Sequence, residues 1–358
     1  VSGAAGPWDV VVVGGGVAGL CAAGELVRAG RSVVVVEKSR GLGGRMATRR
    51  VGAAVCDHGA QFFTVRGRAF GGLVAEAHDA GTVERWCTGF GRLGSLGDDV
   101  AAAADGHARW RGVRGMTDLP KWLAERLAAD GHGTACPIRT GTQATAIAAA
   151  EGRVRVTLAA GPDGVSESLD AAGVVITAPV PQALDLLAAG GAAVDSEARR
   201  QLATVAYDPC YALMLVLDRP SLVPPPGAIQ FAPEAGGPVA WLADNALKGI
   251  SPVPALTVHA TGEFSRAHFD TPADQVTAIL LDAVRRWIDG DPATGVVERS
   301  LHRWKFALPT TVIEAPLVAA SATPPIACCG DAFGGPRVEG AASSGLAAGR
   351  WMARVLAT

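Results

Sequence analysis

Asp9-Val10-Val11-Val12-Val13-Gly14-Gly15-Gly16-Val17-Ala18-Gly19-Leu20 is the stretch that decides the fold. Asp9 to Val13 is a β-branched run, and after the glycines Leu20, Ala23 and Val27 recur at helical spacing up to Gly30. Ser32 to Val36 is a second β-branched run. Neither run alternates polar with apolar residues, as expected of parallel strands covered on both faces. Strand, tight turn, helix and strand make a nucleotide-binding βαβ unit, and Gly14, Gly16 and Gly19 fill its GxGxxG pattern. Gly14 permits the turn, Gly16 lets backbone approach a pyrophosphate, and Gly19 lets the helix pack closely. The helix amino end then supplies N–H donors and a favourable dipole. Glu37 ends the second run about 23 residues after the first glycine, where its carboxylate can accept from ribose hydroxyls. That charge disfavours a 2′-phosphate, while Lys38 and Arg40 work the other way.

The chain has 358 residues and 36.3 kDa, 49% of them hydrophobic, which is enough for two packed domains and excludes a disordered protein. With 32 basic and 34 acidic residues the formal charge is -2, and no basic block marks nucleic acid as a partner. Seven cysteines form no CxxC pair, so we expect thiols in a reducing compartment rather than a disulfide scaffold or a zinc site. The histidines are scattered without HExxH spacing, and no metal is expected. Apolar stretches such as Ala212 to Leu217 fall far short of the ~20 residues that span a bilayer. A strand beginning near Val10 leaves little room for a secretory leader, so the expectation is a soluble cytoplasmic protein with no membrane partner.

Further along, Ser39 to Phe63 is glycine-rich and polar and reads as an ordered loop with short strand pieces over a ligand. Met116, Leu119, Leu123 and Leu127 predict a helix, Arg153 to Leu158 a half-exposed strand, and Gly173 to Thr177 a buried one. Tyr211 to Leu217, Ala228 to Phe231, Val239 to Leu242 and Leu256 to Ala260 predict the strands of a mixed or antiparallel sheet in a second domain. Pro272 to Trp287 and Ala341 to Val355 read as helices, with a short strand at Ile326 to Gly330. The expected arrangement is a discontinuous nucleotide-binding domain from residues 1–75, 134–200 and 296–358, and a substrate domain from 76–133 and 201–295.

A narrower identification enters with Gly41-Leu42-Gly43-Gly44-Arg45-Met46. Together with the upstream glycines and Glu37 it resembles the glutathione-reductase-type FAD fold of the flavin amine oxidase superfamily, in which GxGGR extends the dinucleotide site. Asp57-His58-Gly59-Ala60-Gln61-Phe62-Phe63, His302 to Ala307, Gly330-Asp331 and Val338 to Gly345 resemble renalase-like proteins within that superfamily. The resemblance implies an α/β, two-domain, Rossmann-like FAD-binding fold with a mixed-sheet substrate domain. Noncovalent FAD is the expectation, since the local pattern around Cys328 and Cys329 gives no clear linkage motif. Gly44 and Arg45 would line the pyrophosphate, and Gly59, Ala60 and Gln61 would lie near the flavin. Gln143 and Ala144 match the return segment near adenine, Thr177 and Ala178 would border the cofactor, and Asp331 after Gly330 would accept from the ribityl chain. Glu339 and Gly340 would precede a last helix that begins at Ala341 and whose positive end favours reduced flavin.

By the same resemblance, the activity would be oxidation of 2- or 6-dihydro-NAD(P) isomers, with hydride passing to flavin N5 and then to oxygen as hydrogen peroxide. His58, Gln61, Tyr211, His259, His302, Trp304 and Phe306 are the candidate substrate pocket. Trp304 and Phe306 alternate with Arg303 and Lys305, which puts the two aromatics on one side of an extended segment, suited to a planar nicotinamide or to ordinary packing. The histidines read equally as structural groups, and no residue is assigned as acid or base. Cys56 beside His58 fails as a nucleophile–base pair because side chains in an extended segment alternate. Two other readings stay open. One is an amine oxidase or desaturase, against which no lysine aligns with the lysine–water arrangement of polyamine-type oxidases; the other is a noncatalytic flavin-bound interaction protein.

Overall fold

The valines at the start of the chain form the middle of an eight-stranded sheet in a computed structural model that describes residues 8–94, 100–130, 136–150, 152–160 and 166–357. The expected domain joint at 133/134 and residues 1–7 lie outside the described residues. Strand order is Val318–Ala322, Pro325–Cys328, Ser168–Ile176, Trp8–Val13, Val33–Val36 and Ile138–Arg139, and all neighbours after the first pair are parallel. Arg153–Leu158 and Ala144–Ala150 continue antiparallel from the start of Ser168–Ile176. Alternation along Trp8–Val13 divides its valines between two cores. Val10 and Val12 pack with helices Val17–Arg28, Asp118–Asp130 and Val338–Val355, and Val11 and Val13 with Ile147, Val154 and Leu187 on the other face.

The last helix crosses the first at backbone contact. A Cβ at Gly345 would sit 2.1 Å from the Ala18 carbonyl oxygen, and one at Gly349 2.5 Å from that of Ala22, so small residues set the crossing. Both helices therefore start on the same side of the sheet as the glycine turn.

The second sheet has seven strands in the order Val296–Pro309, Tyr207–Leu217, Ala255–Ala260, Val239–Asp244, Ala228–Phe231, Val83–Leu93 and Ala101–Gly112. Only the Ala228–Phe231 and Val83–Leu93 pair is parallel, so the sheet is mixed. Helix Ala273–Val284 covers one face over Leu213, Leu215 and Val258. A hairpin of Thr48–Val51 and Ala54–Asp57 packs on the other through Val51, Ala54 and Cys56 against Met214, Val216 and Ala255.

Two segments change sides relative to the expected boundaries. Val296–Pro309 was placed with residues 296–358 in the nucleotide-binding domain, yet it pairs along Tyr207–Leu217 as the edge of the second sheet. Asp118–Asp130 was placed in the substrate domain, yet Leu119, Leu123 and Leu127 close the core beneath the first helix. Each follows the surface that buries its apolar face, not its neighbours in sequence.

Candidate active site

A cavity of about 1680 Å³ runs from the glycine turn to the second sheet, larger than the ~300–1,000 Å³ of an ordinary ligand pocket. Gly14, Gly16, Glu37, Lys38, Gly44, Arg45, Gln143, Ala144, Thr177 and Ala178 line its first half. Gly19 lies behind it, where a Cβ would sit 2.0 Å from the Gly14 carbonyl oxygen; its function is close packing. At Gly16 an added Cβ would meet nothing nearer than 3.9 Å, no side chain caps the helix that starts there, and its first residues Val17 and Ala18 line the cavity. The Glu37 carboxylate accepts from the Gly15 and Ser39 amides, both at 2.7 Å, and each oxygen keeps a lone pair for a further donor.

Arg45 and Asp331, 286 residues apart, meet through two 2.7 Å contacts in a fork-to-fork pair at the cavity wall. Burial raises the Asp331 carboxyl pKa, and Arg45 counters this. Ser344 of the last helix accepts from Gly330 N at 2.9 Å and fixes the turn that carries Asp331. Val338 and Ala341, at the amino end of that helix, line the same wall.

Register of the second sheet builds the far wall. His302 pairs with Ala212, Ala212 with His259, and His259 with Trp241, so these residues form one row across four strands. Trp304 and Phe306 follow His302 on the same face, and His302, Trp304, Phe306, His259 and Trp241 all line the cavity. From the facing loop His58 stacks on Trp304 with centroids 5.3 Å apart and planes 22° apart, and meets His302 edge-on at 5.0 Å. The Trp304 indole donates to the His58 carbonyl at 2.8 Å.

Four expected contacts differ. Tyr211 is one residue out of phase with Ala212 and faces the opposite core, where its hydroxyl donates to the carbonyls of His268 and Phe269. Gln61 is buried behind the wall, its amide donating to the carbonyls of Asp57 at 2.6 Å and Gly59 at 3.2 Å. Glu339 turns from the cavity to accept from Arg66 N and Gly67 N, capping the helix Arg68–Asp79. Gly340 is a packing glycine, 2.1 Å from the Gly335 oxygen were it to carry a Cβ. Gly59 lines the cavity and packs as tightly, 2.1 Å from the Arg45 oxygen by the same measure, with Ala60 beside it. Cys56 is inert, since burial pushes its thiol up to about 12.

Sequence reasoning passed over Lys248, which is fully buried with its ammonium 2.6 Å from Asp57 Oδ2 and 2.6 Å from the Gln61 carbonyl. Its scarcity is the one signal: lysines number four in the chain, and this one follows a polar Asp244-Asn245 at a strand end.

The histidines of the wall are neutral. Burial, aided by His302, Arg49 and His259, lowers the His58 pKa from 6.5 to about 3, and burial lowers that of His259 to about 4. Between those values and 6.5 the unfolded chain takes up protons that the folded one refuses, so stability falls as pH drops from about 6.5 toward 3. The Tm of His58→Phe is expected to fall less over that window than that of the wild type. Parallel falls would contradict a buried neutral imidazole.

Comparison with known proteins matches residues 12–77 to an NAD(P)-binding Rossmann-like domain and residues 82–350 to the flavin containing amine oxidoreductase family. The chain belongs to this family. A Mycobacterium tuberculosis protein provisionally named flavin-containing monoamine oxidase AofH is 52% identical over 58 residues, which take up 16% of this chain and 13% of that relative. A protein from Exiguobacterium sp. 255-15, provisionally described as a protoporphyrinogen oxidase, superposes with a TM-score of 0.73 over 98% of this chain and 100% of its own, at 14% identity. Cyclohexylamine oxidase from Brevibacterium oxydans IH-35A superposes with a TM-score of 0.69 over 98% of this chain and all of its own, also at 14% identity. These likenesses show the shared fold. The family is one of flavin-containing oxidoreductases, and the residues of this chain fit FAD. The uncapped helix start beside Gly16 lines the cavity where a pyrophosphate would lie, Glu37 has lone pairs for ribose hydroxyls, and the cavity volume of about 1680 Å³ has room for a dinucleotide.

Proposed function

We propose that this protein oxidises 2- or 6-dihydro isomers of NAD(P), with noncovalent FAD held between the glycine turn and Asp331. Bound FAD would supply the hydride acceptor and pass the electrons to oxygen with hydrogen peroxide as product. The residues Gly16, Glu37 and Gly44 bind, and Arg45 orients Asp331. His58, His302, Trp304 and Phe306 offer flat apolar faces that align a planar ring and exclude water from it.

One observation carries this choice over an amine. Three of the carboxylates that line the cavity are already matched to arginines, Asp105 to Arg109, Asp208 to Arg266 and Asp331 to Arg45; the other two, Glu37 and Asp185, stand after the strand Val33–Val36 and on the helix Val180–Ala189, on the side of the first sheet. The imidazoles of the aromatic wall are neutral, which leaves an aminium there without a free counter-charge and suits an uncharged dihydropyridine ring. The family itself favours the second reading, an amine substrate.

Anaerobic mixing of the holoenzyme with separated 2-, 4- and 6-dihydro isomers tests this. The expected outcome is bleaching of oxidised flavin by the 2- or 6-isomer but not the 4-isomer, and peroxide release once air is admitted. Bleaching by a primary amine with none by the isomers would replace this function with the second. Because His58 and His259 titrate at about 3 and about 4, neither is expected to change the bleaching rate between pH 6 and 8.

A further inference from the structure

Among the described ion pairs, Lys248–Asp57 has both side chains at 0% exposure. It joins the turn after the second-sheet strand Val239–Asp244 to the end of the hairpin strand Ala54–Asp57, 191 residues away in sequence. Lys248 donates to Asp57 Oδ2 and to the Gln61 carbonyl, and its ammonium lies 5.0 Å from the Trp86 ring centroid, so three directions are filled. The carboxylate is filled as well: Oδ1 accepts from Met116 N at 2.8 Å and from the Thr48 hydroxyl at 2.5 Å. Asn245 accepts from Asp57 N.

Lys248 thus grips both ends of the five-residue segment Asp57 to Gln61, while the Gln61 amide braces it from within. Inside that segment are His58, stacked on Trp304, and Gly59 and Ala60, which line the cavity. Burying two charges is costly, and an apolar pair of equal volume holds a fold as well or better. A stable core therefore does not require this lysine. Placement of the segment does, because the Gln61 carbonyl has no other donor among the described hydrogen bonds.

We infer that Lys248 is a positioning residue, a latch between the second sheet and the hairpin that sets the height of the His58–Ala60 wall over the flavin and substrate ring. The inference rests on the cavity being the flavin site, as proposed above. It acts through Asp57 and Gln61 and makes no contact with the reacting atoms.

The experiment compares wild-type holoenzyme with Lys248→Met and with the double variant Asp57→Asn, Lys248→Met, by thermal unfolding, visible circular dichroism of the bound flavin, and FAD titration of the apoprotein. The single variant is expected to unfold earlier, to bind FAD about three- to tenfold more weakly, and to show an altered flavin dichroism. The double variant removes the unpaired charge, so its Tm is expected to return to within about 2 °C of wild type, while the flavin signal and affinity stay altered because Gln61 remains unlatched. If the double variant recovers flavin dichroism and affinity together with Tm, or if neither variant changes them, the positioning role is overturned. Should Lys248→Met fail to fold, the double variant alone decides. These readouts need no substrate, so inertness of wild type toward every dihydro isomer would sink the proposed function and leave the latch standing or falling on its own.

Discussion

Gly19→Ala is expected to abolish retention of FAD through gel filtration, with the flavin-to-protein ratio falling at least about tenfold. A Cβ on Gly19 would stand 2.0 Å from the Gly14 oxygen and 3.3 Å from Thr177 Oγ1. The nearer atom is backbone, part of a turn whose Gly14 has φ +113° and whose amide is bonded to Val36 O at 2.8 Å. Neither side can yield alone, so the helix start must back away from the strand end and carry its first N–H groups with it. The overpacking costs about 1–3 kcal/mol, which a protein with two large cores survives. Loss of the ligand, not of the fold, is therefore the main effect. Gly72→Ala is the control: it lies in helix Arg68–Asp79 with nothing within 4 Å of its added Cβ, and flavin retention is expected to match wild type. Full retention in Gly19→Ala would contradict the glycine turn as the pyrophosphate site.

Asp57→Ala is expected to have the largest effect on stability, about 3–5 kcal/mol, read as a fall in Tm on the order of 5–10 °C. The substitution leaves the Lys248 ammonium fully buried without its counter-charge and leaves Met116 N and the Thr48 hydroxyl without their acceptor. Burial already lowers the Lys248 pKa and Asp57 opposes that shift, so with Asp57 gone the lysine is expected to become neutral in the folded state. Stability of the variant should then rise with pH toward the pKa of a free lysine, because the unfolded chain holds a proton that the folded one has lost. Exposed pairs such as Arg155–Asp170 are the contrast: Asp170→Ala should cost no more than about 1 kcal/mol. Similar losses at the two sites would mean that burial does not set the strength of the Lys248 pair.

The chain's early region was legible because its signals are local. Four consecutive valines, three spaced glycines and Glu37 lie within about thirty residues, and their order alone specifies strand, turn, helix and strand. The shared side of Trp304 and Phe306 was legible for the same reason, since Arg303 and Lys305 alternate with them and the strand period is two, while a ligand and ordinary packing both stayed open for that side. Tyr211 carried no such mark. It sits at the head of the apolar run Tyr211 to Leu217, both faces of which are buried, so alternation cannot tell which face a residue takes. Only pairing with Val296–Pro309 and Ala255–Ala260 put Ala212 in the cavity row and Tyr211 behind it.

By itself, the sequence determined the dinucleotide-binding unit, a second sheet of mixed or antiparallel strands and the shared side of Trp304 and Phe306, because strand periodicity, glycine geometry and turn chemistry act over a few residues. Tertiary structure alone decided which sheet receives Val296–Pro309, which way Glu339 turns, and that Lys248 meets Asp57. Those outcomes depend on burying apolar faces and matching charges between segments tens to hundreds of residues apart, and no short-range pattern in the chain records such a distance.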